Sequence, residues 1–154
     1  MNYDKILIPT DGSEAAERAT AHAVDLAKRY GAELHILFVV DTDAVDVSLG
    51  TEQVQRIKEG RLDEMEELKK YATDATGRIA AAAQREGVEV VESIAAGSPH
   101  KQIVKYANRE GVDLIVMTCH GRTGVRRFLL GSITEQVLRH AQLPVLVVDM
   151  HHDG

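Results

Sequence analysis

Two polar loops carry the residue types best suited to binding a ligand. The loop 9–13 reads PTDGS and supplies the carboxylate of Asp11, whereas the loop 118–132 reads TCHGRTGVRRFLLGS, with no Asp or Glu between Cys119 and Ser132. Glycine lets backbone N–H groups approach a ligand closely, and a helix N-terminus attracts anions through its unpaired N–H groups and its dipole. Arginines near a helix N-terminus are unfavourable by about 0.3–1 kcal/mol each, a conflict that a bound anion would remove. The second loop therefore indicates a phosphate site.

Each of these features also has a purely structural interpretation, which the residues alone leave open. Ser132 with Glu135 three residues later fits a capping box, so Ser132 would be the N-cap of a helix. In that case the glycines would only turn the chain, and Arg122, Arg126 and Arg127 would be solvated surface residues.

The other reactive side chains are expected to be passive. A helix N-terminus near Cys119 would lower the pKa of its thiol, and His120 has no partner in the sequence that would make it an acid or a base. His151, His152 and Asp153 could chelate a metal, but a chain end lacks the hydrogen bonds that hold metal ligands in place. The phosphate and hydrolase motifs G-x-x-x-x-G-K-[ST], G-x-G-x-x-G and G-x-S-x-G do not occur. We therefore predict no catalytic residue and no metal site.

The elements that must position these loops alternate along the chain. Apolar runs predict five strands, at 5–8, 34–40, 88–94, 114–117 and 144–148. Helical spacing and end signals predict four helices between them, at 14–30 after Ser13, 62–87, 99–111 after Ser98, and 132–141. Alternation of this kind implies right-handed crossovers and a parallel sheet covered by helices on both faces. Ligands bind to such sheets outside the carboxyl ends of the strands, where the strand order reverses.

Composition narrows the class of protein. The chain has 154 residues, which fits one α/β domain over 1–150 followed by a tail at 151–154, and the polar stretch 41–60 is expected to be a functional or mobile loop. Aromatic residues make up 4% and the net charge is −6, so nucleic-acid binding is not expected unless the arginines of the second loop support it. One cysteine forms no internal disulfide, and no run approaches the ~18 apolar residues of a membrane span. We expect a soluble, cytoplasmic protein.

Several motifs occur together in a familiar order. A first strand ends in Pro9, Asp11, Gly12 and Ser13; Gly121 is followed after nine residues by Gly131-Ser132, a helix and the apolar run PVLVV; and GSP precedes the third helix. Over essentially its whole length the chain resembles the ATP-binding subgroup of the universal stress protein family. The resemblance implies a flavodoxin-like or Rossmann-like fold, a single doubly wound domain whose five-stranded parallel sheet has the order 3-2-1-4-5, with four helices.

The same resemblance implies ATP with Mg²⁺ as the ligand. Asp11 would accept hydrogen bonds from the ribose hydroxyls, the backbone of Val39 would recognise the adenine edge, and Mg²⁺ would be held mainly by phosphate oxygens and waters. The nucleotide contacts would be Pro9, Thr10, Asp11, Val39, Met117, Thr118, Gly121, Gly131, Ser132, Ile133 and Thr134, with Arg122 and Arg127 as candidate phosphate contacts.

One position departs from the family pattern. The first glycine of the family's motif falls on Thr118, whose Cβ would crowd the ribose or the α-phosphate, or whose hydroxyl would hydrogen-bond them. The expected function is a nucleotide-dependent stress-response module with at most slow ATP hydrolysis. Two alternatives stay open: a universal stress protein that binds no nucleotide and acts as a protein-interaction subunit, which Thr118 favours, and a nucleotide hydrolase that uses His120 or Asp11.

The fifth predicted strand suggests how the chain would associate. It is apolar, β-branched and free of charge, and the resemblance places it at an edge of the sheet, where an uncovered strand is prone to pairing. Antiparallel pairing with the same strand of a second chain, about a two-fold axis, would cover that edge, so we predict a homodimer through 144–148. The identity of any other protein partner stays open.

Overall fold

The structure, a computed structural model, describes residues 2–41, 62–119 and 131–149. Strands and helices alternate along them as β1 Lys5–Thr10, α1 Glu14–Tyr30, β2 Glu33–Asp41, α2 Leu62–Arg85, β3 Val90–Gly97, α3 Pro99–Glu110, β4 Leu114–Thr118, α4 Ser132–His140 and β5 Val145–Val148. The strand pairs are all parallel and the sheet has the order β3-β2-β1-β4-β5. The predicted fold is therefore confirmed, with four helices in the described part of the chain.

Two apolar cores cover the two faces of the sheet. Alternate residues of a strand point to opposite faces, so Ile6 and Ile8 lie in the core beneath α1 and α2, and Leu7 lies in the core beneath α3 and α4. The helices contribute small side chains to the first core, among them Ala23 and Ala83, which let them pack closely on the sheet. Strands covered on both faces are continuously apolar, which is why periodicity located them.

Helix ends follow local chemistry where the side chains permit it. Ser13 is the N-cap of α1 and accepts a hydrogen bond from the Ala16 N–H (3.4 Å), and α1 ends at Gly31 in the left-handed conformation. Ser98 precedes α3 with Pro99 as its first residue, and α3 ends at a left-handed Gly111. The sequence predicted these ends correctly.

The predicted capping box at the start of α4 is wrong. The N-cap is Gly131, in an extended conformation (φ −60°, ψ 151°), and Ser132 is the first helical residue. The Glu135 carboxylate does not return to the helix start but accepts from Arg139 Nη2 at 2.7 Å, one turn further on. The helix itself begins at Ser132, as predicted, and the Gly131 N–H donates to the Cys119 carbonyl (2.6 Å).

Strands also extend beyond their predicted ends at the ligand side of the sheet. β1 continues through Pro9 to Thr10, β2 runs to Asp41, and β3 runs to Gly97. Asp41, predicted as the first residue of the loop 41–60, is instead the last residue of β2, and the rest of that loop and the tail 151–154 lie outside the described residues. No helix among those described is both long and apolar enough to span a membrane.

Candidate functional site

A crevice opens between β1 and β4, where the strand order reverses. The Lys5 carbonyl accepts from the Asp113 N–H (2.9 Å), so every second residue of β1 from Lys5, including Pro9, directs its backbone groups toward β4. Proline has no N–H, so the ladder cannot continue through Pro9, and the paired register ends at Leu7 and Ile115. The proline that sequence patterns treat as the end of a strand therefore separates two central strands at their carboxyl ends.

The loop after β1 is fixed by its own side chains. The Asp11 carboxylate accepts from the Ser13 N–H (2.9 Å), and the Gly12 N–H donates to the hydroxyl of Thr10 (3.1 Å). Gly12 has a φ of +82°, and a Cβ there would lie 2.6 Å from the Tyr71 hydroxyl of α2. Glycine is therefore required at position 12 for two reasons, its left-handed backbone and its close contact with α2. The loop holds the half-buried Asp11 at the edge of the crevice.

β2 reaches further than β1 and exposes backbone beside the crevice. Its pairing with β1 ends at Phe38, whereas its pairing with β3 continues to Asp41. The Glu33 N–H bonds to β1, so alternation also turns the backbone of Val39 toward β1. A continuing ladder would bring the Gly12 N–H to the Val39 carbonyl, but that N–H donates to the Thr10 side chain instead. The Val39 carbonyl therefore faces the space beyond the end of β1.

The start of α4 is tied to the end of β4. The Thr134 hydroxyl donates to the Thr118 carbonyl at 2.7 Å, alongside the bond between Gly131 and Cys119. The first bond within α4 runs from the Glu135 N–H to the Gly131 carbonyl (3.0 Å). The backbone N–H groups of the first three helical residues precede that bond and have no carbonyl acceptor within the helix, the arrangement that binds anions. These residues are Ser132, Ile133 and Thr134.

Thr134 contributes to this arrangement in a way the sequence did not indicate. Its side chain is buried and its hydroxyl proton is given to Thr118, so the group it offers to a phosphate is its backbone N–H. Ser132 is exposed and is the hydroxyl available at the helix start. Met117 and Val39 pack into the core beneath α3 and α4, so their side chains support the crevice from below.

The structure brings most of the predicted site residues to one edge of the sheet. The ends of β1, β2 and β4 and the start of α4 meet there and carry Pro9, Thr10, Asp11, Val39, Met117, Thr118, Gly131, Ser132, Ile133 and Thr134. The remaining predicted residues lie outside the described part of the chain, namely Gly121, Arg122 and Arg127, together with Arg126, His120 and the terminal histidines.

The environment of Cys119 fits the passive thiol that the sequence predicted. Burial raises the pKa of the Cys119 thiol, and the negative charge of Asp149 raises it further. The alternative of a lowered pKa does not hold, because desolvation disfavours the thiolate more than the backbone hydrogen bond at Cys119 favours it. At neutral pH the group is a protonated, weakly nucleophilic thiol.

A buried polar network on the α3 face was missed by the sequence reasoning. His35 Nδ1 lies 2.7 Å from the Tyr106 hydroxyl and Nε2 lies 2.6 Å from a carboxylate oxygen of Glu33, while the Ser93 hydroxyl is 3.3 Å from Tyr106. An ionised carboxylate only accepts, so in the neutral ring Nε2 donates to Glu33 and Nδ1 accepts from Tyr106. The signal was His35 itself, the one polar residue within the apolar run of β2.

This network fixes α3 on the sheet. Burial raises the pKa of the Tyr106 phenol, so the hydroxyl remains protonated at neutral pH and keeps its hydrogen bonds. The Arg109 guanidinium lies over the Tyr106 ring, 5.3 Å from its centroid. Within residues 2–41, 62–119 and 131–149, no three His, Cys, Asp or Glu side chains come together as a metal site.

Comparison with known proteins places the chain among a defined set of relatives. The profile described as "Universal stress protein family" matches residues 2–149. Universal stress protein MJ0531 of Methanocaldococcus jannaschii is 37% identical over 147 residues, covering 95% of this chain and 82% of that protein. Universal stress protein MJ0577 of the same organism is 37% identical over 153 residues, covering 95% of this chain and 94% of that one.

Solved structures agree with the sequence relatives. The structure of MJ0577, reported as a structure-based assignment of biochemical function, has a TM-score of 0.83 at 34% identity and covers 99% of this chain and 100% of that one. A universal stress protein solved in complex with cAMP has a TM-score of 0.66 and covers 98% of this chain and 100% of that one. At 22% identity, the second likeness is one of fold alone.

Proposed function

This chain belongs to the universal stress protein family, and from that premise we propose that it binds an adenine nucleotide, ATP with Mg²⁺, as a regulatory module of a stress response. The observation that carries the proposal is the meeting of three kinds of group at one crevice. They are a carboxylate at the end of β1, a backbone carbonyl on β2 that faces beyond the end of β1, and three N–H groups at the start of α4 that have no acceptor within the helix.

Each group matches one part of the ligand. The Asp11 carboxylate would accept from the ribose hydroxyls, and the Val39 carbonyl would accept from the exocyclic amine of adenine. The N–H groups at the start of α4 and the Ser132 hydroxyl would donate to phosphate oxygens, whose charge also favours the positive end of the helix dipole. Mg²⁺ would neutralise the remaining phosphate charge through phosphate and water ligands. A universal stress protein with the same fold was solved in complex with cAMP, which supports an adenine nucleotide as the kind of ligand that this fold can hold.

The proposed role is binding rather than rapid catalysis. The Cys119 thiol is held protonated, and one oxygen of Asp11 is occupied by the Ser13 N–H, so neither group is prepared as a strong nucleophile or base. Hydrolysis of ATP by the full chain at a rate far above that of ATP and Mg²⁺ alone would contradict this part of the proposal.

Thr118 decides between nucleotide binding and its loss. Its carbonyl positions α4 through Thr134, and its side chain takes the place of the family's first motif glycine. The first test is to denature the purified chain by heat and identify any released nucleotide. The second compares the thermal shift with ATP and Mg²⁺ for the wild type and Thr118→Gly. A shift in the wild type supports binding; a shift only in Thr118→Gly would identify the chain as a relative that has lost its nucleotide.

Association through β5 is a second part of the proposal. β5 lies at an edge of the sheet, Leu146 on it is 37% exposed, and Pro144 precedes its first residue. Antiparallel pairing with β5 of a second copy would cover this edge. We expect the wild type to be a dimer by light scattering at tens of micromolar and Val147→Lys to be a monomer with an unchanged circular dichroism spectrum. A wild-type mass of one chain would refute the dimer.

A further inference from the structure

A basic groove lies between α3 and α4, where His140 at the end of α4 meets one face of α3. Its volume is about 670 Å³, and its lining includes His100, Lys101, Val104, Lys105, Arg109 and His140. The groove shares no residue with the proposed nucleotide site.

The positive charge of the groove is concentrated on one helix. Lys101, Lys105 and Arg109 recur at every fourth residue of α3, so they share one face over about 12 Å at 1.5 Å per residue. α3 has a single carboxylate, that of Glu110, which pairs with Arg109 at 3.2 Å. Among the described residues neither lysine is in an ion pair. This concentration of cations stands out in a chain whose net charge is −6.

The groove is held in place from beneath and from its sides. Tyr106 binds α3 to the sheet through His35 and Ser93, and its ring lies under the Arg109 guanidinium. His140 Nδ1 contacts the carbonyl one turn earlier in α4 at 2.8 Å, and the His100 and His140 ring centroids are 5.8 Å apart. Side chains that are already ordered lose less entropy when a partner binds.

The shape and charge of the groove favour one class of partner. Val104 contributes an aliphatic side chain to the groove beside the cations, and the rings in the lining are the imidazoles of His100 and His140, with no Phe, Tyr or Trp on which bases could stack. The basic stretch is short, and the rest of the chain repels a long polyanion such as duplex DNA. We propose that the α3–α4 groove docks a short acidic segment of a partner protein, whose carboxylates pair with the α3 cations while an apolar side chain rests on Val104.

The test uses the full chain without nucleotide, so that its outcome is separate from that of ATP binding. The probe is a fluorescein-labelled peptide in which glutamates flank a central leucine, titrated at low salt and followed by anisotropy. We expect saturable binding that weakens about tenfold or more in Lys101→Glu/Lys105→Glu and is lost at high salt. Replacing the peptide's leucine with serine is expected to weaken binding severalfold.

The matched control is Lys69→Glu/Lys70→Glu, which makes the same change of charge at exposed residues of α2, on the other face of the sheet. It is expected to bind the peptide within about twofold of the wild type, and circular dichroism must show both double variants to be folded. Equal weakening by both double variants would overturn the docking site, since the effect would then be one of net charge. Tighter binding of a short single-stranded DNA, or of vesicles with anionic lipid, would overturn the choice of an acidic polypeptide.

Discussion

The crevice at the carboxyl ends of the strands and the groove between α3 and α4 are built from different parts of the chain. The crevice uses backbone groups, a glycine and short side chains, placed by where strands end and a helix begins. The groove uses long charged side chains of α3 together with His140 at the end of α4. A site made of backbone depends on local conformation, and a site made of long side chains depends on how whole helices are docked. Substitutions in one site should therefore change the affinity for its own ligand and leave the affinity of the other site unchanged.

The largest effect is expected at Gly12, where the crevice depends on backbone conformation. Gly12→Ala places a Cβ at a φ of +82° and 2.6 Å from the Tyr71 hydroxyl. The left-handed conformation alone costs about 1–2 kcal/mol, and the Tyr71 contact adds to it, so the free energy of unfolding should fall by about 2–3 kcal/mol. ATP affinity should fall as well because Asp11 lies next to the strained residue. Urea unfolding and calorimetry measure the two effects.

Gly87→Ala is the matched control for that prediction. Gly87 has a φ of +79°, but nothing lies within 4 Å of a Cβ built there. It should lose about 1–2 kcal/mol of stability with no change in ATP affinity. Adding Tyr71→Ala to Gly12→Ala should recover only the part due to the contact. Equal losses of ATP affinity in Gly12→Ala and Gly87→Ala would show that ATP binding does not depend on the backbone conformation at Gly12 in particular.

The next effect concerns the support of the groove. Tyr106→Phe keeps the ring beneath Arg109 but leaves the buried Nδ1 of His35 without its partner, which costs about 1–3 kcal/mol of stability. The variant should bind the acidic peptide more weakly than the wild type does and should bind ATP with unchanged affinity. Unfolding in urea and the two titrations test this. A variant that loses ATP affinity and keeps peptide affinity would reverse the assignment.

Tyr106 also gives the protein a pH dependence of known sign. Its pKa is raised in the folded chain, so the folded state favours the protonated phenol. The stabilisation is complete below the ordinary tyrosine pKa of about 10 and is lost as the pH rises above that value. The free energy of unfolding of the wild type should therefore decline above pH 10, and the decline should be shallower in Tyr106→Phe. Urea unfolding at several alkaline pH values measures both slopes.

The sequence predicted more of the crevice than of the groove, because the crevice depends on local conformation and the groove depends on how helices are docked. Ser13, Gly31 and Gly111 act on neighbouring residues, so helix ends were predictable from local chemistry. The strand order came from the family resemblance, and the crevice followed from it because each loop lies directly after a strand. The start of α4 at Ser132 was predicted correctly, but its N-cap is Gly131 and not Ser132, since the bond from Gly131 to Cys119 depends on how the chain returns to β4.

The groove and its supporting network were beyond such reasoning. His35 and Tyr106 are 71 residues apart, and only the packing of α3 on β2 brings them within hydrogen-bond distance. From the sequence alone, the cations of α3 are as consistent with a solvated helix face as with one wall of a groove, and only the position of α4 distinguishes the two. The position of the Val39 carbonyl likewise required the register, in which the pairing of β2 with β1 ends at Phe38.

The smallest effect compares two helix caps, one beside each region. Ser13 accepts a hydrogen bond from the Ala16 N–H, so Ser13→Ala should lower stability by about 1 kcal/mol. Ser98 makes no such bond to α3, and its hydroxyl lies 3.4 Å from His100 Nδ1 instead. Ser98→Ala should therefore change the unfolding midpoint little. Similar losses at both positions would mean that the cap bond at Ser13 contributes nothing of its own.

Calorimetric titration of ATP with Mg²⁺ into the full chain, the wild type beside Asp11→Ala and Asp4→Ala, tests the central claim most directly. Both variants remove one carboxylate from the ends of β1, but Asp4 lies before the strand and away from the crevice. We predict saturable binding to the wild type and to Asp4→Ala, with affinity at least about tenfold lower for Asp11→Ala, as expected for loss of a charged hydrogen-bond acceptor. No heat of binding to the wild type at millimolar ATP, or equal binding by all three proteins, would contradict the account.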